Sequence, residues 1–458
     1  MTKDMTSGSP MKLILAFSIP ILLGNLFQQF YSMVDTAIVG KYIGVEALAA
    51  VGSTGSLTFL IVDFALGLTA GFAVPIAQTF GANDYKKMRH YVAMSIYLCV
   101  FLTVILTLLS VFMTRPLLEL LHTPSDIIDD AYAYLVVIFA GLGTTIFYNM
   151  IAGILRSIGD SRTPLYFLIV SSIINIILDL VFILKFNSGV AGAAYATIIA
   201  QGISGLLCLW VAAKRYTLLH LSKEDFKYEN RSILKLVGIG LPMALQYSIT
   251  AVGCMIVQAA VNSLGSITVA AFTAASKVEQ LAMQPFKTLG MTMVTYTGQN
   301  LGAGKPKRIQ SGVRSGMLLC VICAVIGGFG LYFYGETLSG FFVSNTSTSA
   351  AVIADAQTYL NTAMVYFIPL GAIFVYRNSL QGMGEGLITM LAGIIELLSR
   401  TAVAALFTAS LGYTAICYAS PAAWVSAGVF LVVIYLIKLR KMLKNHPTPI
   451  ENAHSNLS

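Results

Sequence analysis

The chain has 458 residues, 57% hydrophobic and only 10% charged, with a net charge of +8 and a mean hydropathy of +0.79. A soluble chain of this length carries about 25% charged residues and divides into roughly three domains, so a string of water-soluble domains is excluded. Apolar stretches follow one another from Lys12 to Lys438, each long enough to cross about 30 Å of hydrocarbon at about 1.5 Å per residue. The expected class is an all-α polytopic membrane protein; a β-barrel is excluded because the runs are continuous rather than alternating.

The N-terminal stretch MTKDMTSGSPMKLILAFSIPILLGN has basic residues before an apolar run, as a signal peptide would. The run continues past any small-residue cleavage site, so it reads as the first spanning helix. Twelve spans are predicted, near 13–40, 48–80, 91–113, 132–155, 164–186, 190–212, 236–262, 269–299, 315–334, 353–379, 388–409 and 413–437. The longer ones must tilt or protrude. The implied organisation is a short N-terminus (1–12), a first lobe of six helices (13–212), a basic linker (213–235), a second lobe of six (236–437) and a tail (438–458).

With the N-terminus in the cytoplasm, 22 Lys and Arg fall on that side and three (Lys41, Arg115, Lys185) on the other. The 22 include six between Lys214 and Lys235, four from Lys305 to Arg314, and Arg377. This positive-inside bias places both termini inside, in the cell's inner (plasma) membrane. The net charge is then explained by topology and contact with the bilayer surface, without a nucleic-acid partner.

The second half repeats the first at an offset of 221 to 225 residues. AQTFGANDYKK (77–87) aligns with GQNLGAGKPKR (298–308), RSIGD (156–160) with QGMGE (381–385), and GVAGAAYAT (189–197) with GYTAICYAS (412–420). Pro20 in SIPILL lies one residue from register with Pro242 in GLPMAL. An even number of spans per repeat gives a parallel duplication, with the two six-helix bundles pseudo-symmetric.

Charged groups within spans are functional candidates because burying them is costly. The acids are Asp35, Asp63, Asp179, Glu279 and Glu396, and the bases Lys277, Lys287 and Arg400. Glu396 and Arg400 are spaced i,i+4 and can satisfy each other. Asp35 lies about 9 Å and Asp179 about 12 Å below the outer surface, counted by helical rise. Asn175 and Thr197 reach the same level, and Gln28 lies on the Asp35 face two turns deeper. Two carboxylates with amide and hydroxyl oxygens suit a shared proton or a small cation; the bland alternative is a structural polar cluster. The six cysteines sit inside apolar runs and the five histidines are scattered, so neither a disulfide framework nor a metal cluster is expected.

These half-repeats, the FGA and GQ..GAG loops, the LRSIGD turn and the GAAYAT run resemble the multidrug and toxic compound extrusion (MATE) family over about residues 10–440. The resemblance implies two six-helix bundles around a V-shaped central cavity, exporting drugs by alternating access against a proton or sodium gradient. It assigns cation coupling to Asp35, Gln28, Asn175, Asp179 and Thr197, with Tyr134 and Asn149 at the matching span-four positions and Pro20 as a hinge. The acids that one branch of the family carries in spans seven and ten are replaced here by neutral residues around Thr250 and Leu370, which argues against a cation site in the second lobe.

The chain holds 18 Met, 25 Phe and 22 Tyr, soft and flat surfaces that can pack many shapes. Tyr31, Gln246, Glu279, Met283 and Met293 are candidates to line the cavity. The expected cargo is small, amphipathic and mostly cationic, the expected working unit a monomer, and the expected cofactor none beyond the coupling ion, H+ or Na+. A lipid or lipid-linked oligosaccharide flippase is the first rival, but it would need several unpaired basic groups to neutralise pyrophosphate. An intramembrane enzyme is the second; H-E-x-x-H, G-x-S-x-G and P-loop patterns are all missing from the sequence.

Overall fold

Every regular element described in the computed structural model is a helix. The structure describes residues 4–121, 123–343 and 349–445, so the end of the expected tail and three of the histidines (His122, His446, His454) lie outside the described residues. The first half contains α1 (Pro10–Tyr42), α2 (Val45–Ser53), α3 (Gly55–Gly81), α4 (Tyr85–Leu120), α5 (Ile128–Ala140), α6 (Leu142–Ser157), α7 (Arg162–Leu180) and α8 (Gly189–Arg215). The second contains α9 (Asn230–Asn262), α10 (Ser266–Ala282), α11 (Gln284–Gly302), α12 (Pro306–Gly340), α13 (Ser349–Val365), α14 (Phe367–Gly382), α15 (Gly386–Leu411) and α16 (Tyr413–Asn445).

Among the described residues nine single helices are long and apolar enough to cross a membrane, and eleven spans result if each of two bent pairs counts as one. Those pairs, α5–α6 and α13–α14, bend by 45° and 53° at equivalent places in the two halves. The remaining expected span, the eighth at 269–299, is divided at Met283 into α10 and α11 and carries Lys277, Glu279 and Lys287. Pro285 sits in the first turn of α11. It has no N–H for the Leu281 carbonyl, and its ring crowds that turn, which is reason enough for the break.

The duplication extends to the backbone. Left-handed conformations occur in pairs 221 to 225 residues apart: Gly44 with Gly265, Asn83 with Gly304, Gly159 with Gly384, and Gly189 with Gly412. The turns after α3 and α11 close identically. Asp84 N–H bonds the Thr79 carbonyl at 3.0 Å and Lys305 N–H the Asn300 carbonyl at 2.9 Å. This six-to-one closure needs a left-handed residue before it, a place Gly or Asn fills with least strain.

Packing groups the described chain into two compact units. Unit 1 holds Ile19–Phe80 and Asp84–Ala251; unit 2 holds Asp4–Ser18, Gly81–Asn83 and the chain from Val252. Helix α1 is thus shared between units at Ser18/Ile19, beside Pro20, and α9 at Ala251/Val252. The core of unit 1 gathers Phe72, Ile76, Met88, Met94, Ile146, Met150, Leu155 and Leu236 from α3, α4, α6 and α9. Large apolar side chains on α4, such as Phe101, Leu108 and Phe112, stand outward, as lipid-facing residues do. All six cysteines are free thiols.

Within unit 1, α3 crosses α9 with the two backbones in close approach. A Cβ on Gly71 would lie 2.4 Å from the Gly240 Cα, and one on Gly67 2.6 Å from the Ala244 Cα. Small residues let two backbones touch, gaining dispersion contacts where lipid offers no hydrophobic drive. Gly71→Ala is therefore expected to destabilise by about 1–3 kcal/mol through overpacking, seen as a lower melting temperature in detergent. Gly330→Ala, with nothing within 4 Å of its Cβ, should leave the melting temperature unchanged or slightly higher.

Candidate functional site

Helix α1 presents Gln28, Tyr31 and Asp35 at i, i+3 and i+7, the spacing that puts three side chains on one face. Helix α7 presents Asn175 and Asp179 one turn apart, and the chain then passes directly into a π-helical turn, Val181–Lys185. A π-turn widens the helix by one residue and is common at functional sites. Here Gly192 of α8 admits the close approach of this turn: a Cβ there would sit 3.1 Å from the Phe182 Cβ. Helix α8 adds Thr197 and α5 adds Tyr134. All belong to unit 1.

The structure brings these residues together. Asp35 and Asp179 interact directly through their carboxyl groups. Both carboxylates lie close enough to act electrostatically on Tyr31 and on Tyr134, and Gln28 lies beside Tyr31. Asp179 is fully buried and Asn175 nearly so, while Asp35 and Tyr31 are half-buried and Gln28 is exposed. Asn175 Nδ2 donates to Thr197 Oγ1 at 3.4 Å, and Thr197 Oγ1 donates to the Ala193 carbonyl at 3.1 Å.

That chain of donation spends the Thr197 hydroxyl hydrogen and one of the two Asn175 amide hydrogens elsewhere. Four buried acceptor oxygens then take no hydrogen bond from the described residues by strict geometry: Asp35 Oδ1, Asn175 Oδ1, and Asp179 Oδ1 and Oδ2. Buried acceptors without donors are costly. Two carboxylates side by side raise that cost further unless a proton or a cation enters between them. The geometry is that of an acceptor-only nest.

Other candidate residues fall elsewhere. Asn149 turns back on its own helix, its Nδ2 donating to the Thr145 carbonyl at 2.8 Å. Of the second-lobe group, Gln246 is buried in the part of α9 that belongs to unit 1, whereas Glu279, Met283 and Met293 belong to unit 2. Met293 is fully buried and packs where Gly316 of α12 leaves room, its Sδ 3.1 Å from a Cβ built there. It is a core residue and not a cavity wall. Met283 is half-buried at the α10–α11 break.

Two pairings also differ from the expected ones. Glu396 pairs with Arg377 of α14 and not with Arg400 one turn along its own helix. Arg400 instead donates to Cys254 Sγ at 3.4 Å. Arg377, which the charge distribution assigns to the cytoplasmic face, is 7% exposed inside unit 2. Both members of the long-range pair are buried, as is Arg400, so the choice of partner is set by which side chains the packed helices bring together. Glu279 accepts from Tyr359 Oη at 3.1 Å. The Tyr359 role carried no sequence signal, since a tyrosine in an apolar run reads as packing.

Comparisons with known proteins agree with one another. The MatE family model matches residues 20–181 and 242–406, one segment in each half-repeat. The chain is 30% identical to the "Probable multidrug resistance protein YpnP" of Bacillus subtilis (strain 168) over 410 residues, 89% of this chain and 91% of that one. It is 24% identical to a protein of Shewanella oneidensis named "FAD transporter", covering 84% and 85% of the two chains. In fold it is similar to a MOP superfamily transporter from Pyrococcus furiosus, with a TM-score of 0.90 at 23% identity over 96% of this chain and 98% of that one.

The acceptor-only nest predicts a stability signature. Asp179→Asn removes one of two facing carboxylates and should raise the melting temperature of the solubilised protein at pH 8 in sodium-free buffer, by about 1 °C for each kcal/mol relieved. A lower melting temperature in the variant would show that the carboxyl contributes a net stabilising contact.

Proposed function

This chain belongs to the MatE family, and on that premise we propose that it is a secondary active efflux transporter that exports amphipathic, mostly cationic compounds in exchange for protons or sodium ions. The single observation that carries the reading is the pair Asp35 and Asp179, with buried oxygens that take no hydrogen bond from the described residues. An antiporter needs one group whose charge is cancelled by the incoming ion and restored when it leaves. Carboxylates without protein donors are such a group. Thr197 accepts from the Asn175 amide, and the Asn175 carbonyl oxygen likewise takes no hydrogen bond from the described residues.

The remaining steps follow from that exchange. Entry of a proton or cation neutralises a buried charge, so α1 can repack against α7, and the conformational equilibrium and ion occupancy become one linked equilibrium. Pro20 lies inside α1 and leaves the Ala16 carbonyl without its helical donor, which makes the bend cheap. The strong cytoplasmic bias of Lys and Arg supports both termini in the cytoplasm of a cell whose inner (plasma) membrane holds the protein. The cargo is read as cationic because acids outnumber bases within the spans and aromatic faces attract organic cations.

The deciding experiment is transport in proteoliposomes under imposed pH or sodium gradients, with a panel of planar organic cations and FAD as an anionic arm. Efflux of the cations driven by one gradient is expected. The Asp35→Asn, Asp179→Asn double variant should lose gradient-driven transport at least tenfold while still binding dye; intact coupling there would overturn the site. Preference for FAD over every cation would overturn the cargo class.

A second expectation concerns the hinge. Pro20→Ala restores the missing N–H and stiffens α1, so turnover should fall several-fold while the dissociation constant for dye changes little. Equal turnover in the variant and the parent protein would remove the hinge from the mechanism.

A further inference from the structure

The segment before α1 is held in place by hydrogen bonds that serve no part of the site described above. Met5 is fully buried. Its N–H donates to Gln299 Oε1 at 2.9 Å, and its carbonyl accepts from Asn300 Nδ2 at 3.1 Å and from Arg308 Nη2 at 3.1 Å. Arg308 Nη1 reaches the Gly8 carbonyl at 2.9 Å, and Lys305 Nζ the Thr6 carbonyl at 2.9 Å. Arg308 Nε also donates to Asn300 Oδ1 at 3.0 Å, so the two holders brace each other. Further along, Ser18 and Thr292 share a hydrogen bond of 2.8 Å between hydroxyls. Every one of these residues belongs to unit 2, and the unit boundary falls at Ser18/Ile19.

The second half has a counterpart within unit 1. The linker ahead of α9 is clamped to the start of α4: Arg89 pairs with Asp225 at 3.4 Å, and His90 meets the Asp225 carbonyl at 3.0 Å and Glu229 at 3.1 Å. Each repeat therefore fastens the lead-in of its partner's first helix with basic residues from the start of its own third span.

We infer that Asn300 and Arg308 are positioning residues for coupling: they fix the first part of α1 to unit 2, so that repacking of the part bearing Asp35 is converted into bending at Pro20 rather than sliding of the whole helix. The inference rests on the reading of α1 as the ion-carrying helix. A helix free at its start would follow the Asp35 end as a rigid rod, and the local change would dissipate. A helix pinned at Met5 and pivoted fifteen residues later transmits it. Because the holders grip carbonyls and one N–H, Met5 supplies a buried plug while the backbone supplies the attachment.

The test uses the full-length protein in proteoliposomes. Asn300→Ala, Arg308→Ala should lower gradient-driven transport at least tenfold, with the dissociation constant for dye within twofold of the parent. Arg308→Lys, which keeps the charge but loses the fork across two carbonyls, should recover part of the rate. In a separate Met5→Cys variant, labelling at position 5 by a membrane-impermeant maleimide, read by peptide mass spectrometry, should stay slow during turnover. Wild-type coupling in the double variant, or rapid labelling of Cys only while transport runs, would overturn the anchor. Neither outcome touches the ion site, whose own failure would appear as intact coupling in the Asp35→Asn, Asp179→Asn variant.

Discussion

Inside a bilayer the backbone has no water to bond, so every residue must find its hydrogen-bond partner within the protein. This constraint explains why all regular structure among the described residues is helical and why several interruptions have an identifiable cause or role. Pro285 ends α10, the left-handed turns at Asn83 and Gly304 close α3 and α11, and the π-turn after Asp179 displaces the ladder by one residue. The same constraint gives the acceptor-only nest its force. Where backbone groups cannot be left unsatisfied, four buried oxygens that take no hydrogen bond from the described residues are an energetic imbalance that a proton or cation would relieve.

Much of this could be read in the residues themselves. The half-repeat was visible as paired strings such as AQTFGANDYKK and GQNLGAGKPKR, and the backbone repeats with them because Gly and Asn recur where the turn must be left-handed. Asp35, Asp179, Asn175 and Thr197 converge as helical rise and face suggested, because depth along a spanning helix is nearly a count of residues. The π-turn had no such signal, since it depends on contacts from α8 that a periodicity does not encode.

What the sequence could not reveal was partner choice between distant helices. Glu396 and Arg400 satisfy the local i,i+4 rule, but that rule describes solvated helix surfaces, where partners compete only weakly. Once both are buried, Glu396 takes Arg377 from the next helix and Arg400 turns to a thiol. Removing one member of a buried pair leaves an uncompensated charge, so replacing Arg377 or Glu396 alone costs more stability than replacing both. Met293 illustrates the same limit: its burial depends on a glycine, Gly316, on another helix.

The anchor ahead of α1 also bears on how the protein is made. Met5 and its partner Gln299 are separated by 294 residues, so at about 5–20 residues per second the ribosome needs roughly 15–60 s between exposing the one and completing the other. Throughout that interval the first helix is in the membrane with its lead-in segment ungripped. Its attachment must wait for the second repeat, and a nascent chain halted before Gln299 would carry a first span that is inserted but not yet fastened.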